Sequence, residues 1–72
     1  MGLAVRPKAM VKFIESNGFR FVSQRGSHRK FTDGAFVTTV PMHNDDLDAG
    51  TLRAILKDTG LTRRQLEGYL GR

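Results

Sequence analysis

The sequence predicts a small α+β fold in the order α-β-β-β-α, with a three-stranded antiparallel sheet and a short extra C-terminal helix. Three observations predict it. Apolar residues recur at helical spacing toward both ends of the chain: Met10, Phe13 and Ile14 first, then Leu52, Ile55 and Leu56. Between them the period drops to two, in Phe19-Arg20-Phe21-Val22-Ser23-Gln24. Two turn signals, Arg25-Gly26-Ser27 and Asp33-Gly34, then cut the middle into three strands. At 72 residues the chain has room for one small domain, expected over residues 1–72. A two-lobed enzyme or a separate cofactor-binding unit is excluded on size.

The first helix is expected from Pro7 to Asn17. Pro7 suits a first helical position, where its missing N–H is no loss. Gly18 is free to take the left-handed conformation that ends a helix. Lys8 and Lys12 stand one turn apart on a face other than the Met10/Phe13/Ile14 stripe. The strands are expected at Phe19–Gln24, about His28–Thr32, and Ala35–Val40, with Pro41 closing the third because it cannot donate to a ladder. Phe19, Phe21, Phe31 and Phe36 are all read as core residues.

A polar connector, Met42–Gly50, precedes a helix over Thr51–Thr59 that Gly60 ends. Thr62 and Gln65 have capping-box spacing and open the last helix, whose Leu66, Tyr69 and Leu70 are expected to face the core.

Charge locates the functional half. Twelve Lys and Arg against seven Asp and Glu give a net charge of +5, which favours a polyanionic partner. The excess lies within residues 1–44, where seven bases (Arg6, Lys8, Lys12, Arg20, Arg25, Arg29, Lys30) face two acids, Glu15 and Asp33. The rest of the chain is balanced. No cysteine is present, so disulfides and thiolate metal sites are excluded. The apolar start Met1–Val5 is too short for a signal peptide, and no run reaches the length of a membrane span. A cytoplasmic protein that binds no membrane is expected.

The stretch with most chemical content is Arg25-Gly26-Ser27-His28-Arg29-Lys30. Three cations accompany one imidazole at a hairpin where glycine eases close approach of a phosphate. RNA cleavage without a metal needs a base for the 2′-hydroxyl proton and cations for the charge that builds on phosphorus. Imidazole titrates near neutrality and fits the first task. The same residues also fit a solvated surface hairpin with an incidental histidine. His43 lies near Asp45 and Asp46, but a metal site needs more converging ligands; neither metal nor cofactor is expected. These aspartates fit the positive N-terminus of the helix that follows.

Asn17-Gly18-Phe19, Gly26-Ser27-His28, Val40-Pro41-Met42-His43 and Gly50-Thr51-Leu52-Arg53-Ala54-Ile55-Leu56-Lys57, in this order, resemble the HicA toxins. The resemblance runs from about Val11 to Leu61. It implies a double-stranded-RNA-binding-domain-like fold, a ribosome-independent mRNA interferase of a type II toxin–antitoxin system, and a HicB-type antitoxin that covers the active face. It also implies that His28, the histidine of the Gly-Ser-His motif, is catalytic. Members often carry a second histidine next; Arg29 stands there, which leaves the general acid unassigned.

In this reading Arg25, Gly26, Ser27, Arg29, Lys30, Lys8 and Lys12 bind RNA. Asp45, Asp46 and Asp48 would repel phosphates near the start of the Thr51–Thr59 helix, where a duplex binder presents cations. Single-stranded RNA therefore fits better. Arg53 and Lys57, opposite the Leu52/Ile55/Leu56 stripe, are open to either phosphate contact or plain solvation.

Two other readings fit parts of the sequence. One is a non-catalytic RNA-binding module in which His28 is a spectator. The other is a helix-turn-helix DNA-binding regulator built from Thr51–Thr59 and Thr62–Leu70, but its half of the chain carries no net charge to attract DNA.

Overall fold

The computed structural model describes residues 2–72. Its elements are α1 (Pro7–Ser16), β1 (Arg20–Arg25), β2 (His28–Thr32), β3 (Val37–Pro41), α2 (Ala49–Thr59) and α3 (Arg63–Leu70). The three strands form one antiparallel sheet in the order β1-β2-β3. The predicted α+β order, extra helix included, is the observed one.

Each boundary has a local cause. Pro7 opens α1, and the Phe19 and Gly18 amides close it by donating to the Ile14 and Glu15 carbonyls. Gly26 takes φ 58° in the two-residue β1–β2 loop, at the position where a type II′ hairpin carries glycine. Asp33 shapes the β2–β3 loop by accepting from the Ala35 and Phe36 amides at 2.9 and 2.7 Å. Thr62 and Gln65 form the expected capping box of α3.

α2 begins at Ala49, two residues before the predicted start, because Asp48 is its cap: the carboxylate accepts from the Thr51 amide at 2.7 Å. Pro41 is the last residue of β3 and sits opposite His28, where an edge strand tolerates a missing donor.

The helices cover one face of the sheet. Phe31 and Val40 are buried there with Met10, Phe13 and Ile14 of α1, Leu52 and Ile55 of α2, and Leu66 of α3. Thr38 is also buried on that side, its hydroxyl donating to Asp58 at 3.2 Å. Alternation turns His28, Lys30, Val37 and Thr39 to the opposite face, which is open to solvent.

Not every aromatic is in the core. Phe19 and Phe31 are buried as expected, but Phe21 and Phe36 are 53% and 50% exposed. Phe21 lies beside Phe31, ring centroids 6.1 Å apart, yet β1 is an edge strand exposed along its whole length. Phe36 precedes β3 in a loop beside Gly60, at the rim of the helical layer. In α3, Leu66 is buried and Leu70 packs against the core, whereas Tyr69 is half exposed, its ring centroid 5.5 Å from that of Phe13.

β1 also carries a bulge. Phe21 pairs with Phe31 and Ser23 with Lys30, so Val22 is an extra residue between them. The bulge and the charged side chains of Arg20 and Arg25 protect this open edge from pairing with another chain.

Candidate functional site

The open face of the sheet holds a shallow hollow of about 350 Å³, lined by Ser23, Arg25, His28, Lys30 and Thr39. Strand register explains this set. Arg25 stands opposite His28, and Lys30 stands opposite both Ser23 on β1 and Thr39 on β3. Cross-strand neighbours on one face lie roughly 5 Å apart at Cβ, so the five side chains converge without a dedicated loop. No acid lines the hollow. Among the described residues, Arg25 and Lys30 have no ion pair and the His28 ring has no hydrogen bond. Both cations and both imidazole nitrogens are thus available to a ligand.

Arg29 is elsewhere. It pairs with Val40 on the helix-facing side, and its Nε donates to Gln24 Oε1 at 3.1 Å. Gln24 Nε2 in turn donates to the Gly26 carbonyl at 2.8 Å, so Arg29 braces the hairpin tip. The expectation of three cations around His28 becomes two, because β alternation sends residue 29 to the other side. Gly26 and Ser27 form the tip, whose Ser27 carbonyl accepts from the Met42 amide at 2.6 Å. That bond fixes the end of the hollow to the start of the β3–α2 connector.

Lys8 and Lys12 do not share the hollow either. They line a second, larger groove of about 730 Å³ between α1 and the connector, together with Met42, His43 and Asn44. His43 Nδ1 lies 3.1 Å from the Asp45 carbonyl, which can only accept, so the proton of a neutral ring sits on Nδ1. Asp46 pairs with Arg6 at 3.3 Å, and Asp48 caps α2. Arg53 lines an apolar cleft with Leu47, Leu52 and Leu56; Lys57 lines none of the three depressions.

Ser23 and Thr39 are the hollow-lining residues that sequence reasoning missed. Building the register outward from the Gly26-Ser27 loop places Ser23 against Lys30, and the Asp33–Phe36 loop then brings Thr39 to its other side.

The cap of α2 sets an acid sensitivity. The Asp48 carboxyl is held below the usual carboxylate range, first by the Thr51 amide and then by the Thr51 hydroxyl. A lowered folded pKa means that this group's stabilisation is complete above the ordinary carboxylate range and is lost as pH falls through the lowered value. Asp48→Ala is therefore expected to reduce the melting temperature at neutral pH, with the gap to the unsubstituted protein closing as pH falls through the lowered carboxyl value. Thermal unfolding across pH checks this, and a gap independent of pH would contradict it.

No curated protein gives a significant match to the chain. A family model described as the HicA toxin of bacterial toxin–antitoxin systems matches residues 7–61, from the first residue of α1 to just beyond α2, and so takes in the whole sheet, the hollow around His28 and all of the groove's lining except Arg6. The protein belongs to the HicA toxin family.

Proposed function

We propose that this toxin is a ribosome-independent mRNA interferase, a metal-independent endoribonuclease acting on single-stranded RNA. The observation that carries the reading is the acid-free, solvent-open face on which His28 stands with Arg25 and Lys30. His28 takes the proton of a 2′-hydroxyl, and the freed oxygen attacks the adjacent phosphorus. The bond to the 5′-oxygen breaks, leaving a 2′,3′-cyclic phosphate on one product and a 5′-hydroxyl on the other. Water protonates the departing oxygen, because the hollow is open. Arg25 and Lys30 hold the phosphate oxygens and stabilise the charge that develops on them.

Being the toxin of its system, the protein is paired with a HicB-type antitoxin; in this reading the antitoxin covers the sheet face and excludes RNA. Messenger RNA as substrate puts the action in the cytoplasm. Among the described residues, no helix is long and apolar enough to cross a membrane.

The test is a substrate with a single 2′-deoxy position at a mapped cut. Cleavage there is expected to stop while neighbouring cuts persist, and the products of ordinary RNA are expected to carry cyclic phosphate ends. Products with 5′-phosphates, or unimpaired cutting at the deoxy position, would overturn the route. Binding without any cleavage would favour the non-catalytic module instead.

A further inference from the structure

We infer that the groove between α1 and the β3–α2 connector is a second RNA subsite, which holds a phosphate and base of the single-stranded substrate outside the cleavage hollow. The inference rests on the RNA-cleaving reading given above. Volume is the first argument: about 730 Å³ lies within the range of small-ligand pockets and twice exceeds the hollow around His28.

The lining divides into two chemistries. Lys8 and Lys12 stand one helical turn apart on the same side of α1, and neither has an acidic partner among the described residues. His43 adds a ring whose Nδ1 is occupied by the Asp45 carbonyl, leaving Nε2 free for a ligand. Pro7, Ala9 and Met42 supply an apolar wall suited to the face of a base. The nearby acid Asp46 is paired with Arg6.

Position is the second argument. Pro41 is directly opposite His28, and His43 follows two residues later. Two residues of chain span at most about 7 Å. The Ser27–Met42 backbone bond holds this junction in place. The hollow opens on the free face of the sheet and the groove beside α1, so a strand cut at His28 enters the groove by passing around this junction. The hollow would then supply chemistry and the groove would supply grip and register.

The experiment uses the double variant Lys8→Gln, Lys12→Gln, since glutamine keeps helix propensity. The control is Lys57→Gln, which lies outside both depressions. Binding of a labelled single-stranded RNA, with 2′-deoxy positions to prevent cutting, is followed against salt. The slope of log affinity on log salt is expected to become shallower by about 0.7 for each lysine lost, with Lys57→Gln unchanged. KM for a long oligonucleotide rises severalfold at unchanged kcat, while a dinucleotide, too short to reach the groove, is cut as before.

An unchanged slope, an equal effect of Lys57→Gln, an equal loss on the dinucleotide, or a loss confined to antitoxin binding each overturns the subsite. The slope needs no cleavage. A shallower slope in a protein that cuts nothing keeps the groove as an RNA site and removes only the enzyme reading.

Discussion

Exchanging His28 for alanine is expected to slow RNA cleavage by about 10²–10⁴-fold, the usual contribution of a positioned general base. Thermal unfolding and RNA affinity are expected to stay near those of the unsubstituted protein. His28 is exposed on the open face, and no described residue hydrogen bonds to its ring, so alanine leaves no buried group unpaired. Arg25 and Lys30 remain to hold phosphate. Cleavage of a labelled oligonucleotide, read beside affinity and melting temperature, separates the cases. Full activity in the variant would remove the base from His28 and place the chemistry on another group. Lost activity with lost affinity would make His28 a ligand for phosphate rather than a base.

Phe31→Ala produces the largest structural effect. Phe31 is 1% exposed in the central strand, among the largest fully buried side chains. Truncating such a ring costs about 3–5 kcal/mol. A domain of this length holds only about 4–11 kcal/mol in all, so much of the native state's margin disappears. The substitution also bears on function, because burial of Phe31 orients the strand that turns Lys30 outward. Denaturant unfolding is expected to show a sharply lowered midpoint and cleavage to fall with the folded fraction. The gentler Ile14→Val, at a fully buried site of α1, should cost about 0.5–1.5 kcal/mol and leave activity intact. A Phe31→Ala protein as stable as the parent would contradict the packing described here.

The fold was legible because its signals were local. The Met10/Phe13/Ile14 and Leu52/Ile55/Leu56 stripes, the Thr62–Gln65 box and the two glycine-bearing loops each report on neighbours in sequence. The exposure of Phe21 and Phe36 was not legible, since it depends on which strands the helices cover, a tertiary fact. Composition marked residues 25–30 as the functional stretch but could not divide them between faces. That division put Arg29 behind the sheet and gathered Ser23 and Thr39, two unremarkable polar residues, beside Lys30. His43 is far in sequence from Lys8 and Lys12, and their shared groove required the packing of α1 against the connector. The α2 start moved because Asp48, read as one of three helix-end acids, is the one that caps.

The extra residue at Val22 makes β1 a strand with two independent phases. Counting back from the Gly26-Ser27 loop, even spacing alone would set Val22 against Phe31 and Phe21 against Thr32 on the open face. The bulge instead returns Phe21 to Phe31 while Ser23 and Arg25 stay with Lys30 and His28. Aromatic packing at one end and phosphate-facing groups at the other are thereby insulated from each other. Substitutions can accumulate in either half without re-aiming the other, and deleting Val22 itself would leave Phe21 against Phe31 and Ser23 against Lys30 in an unbroken ladder.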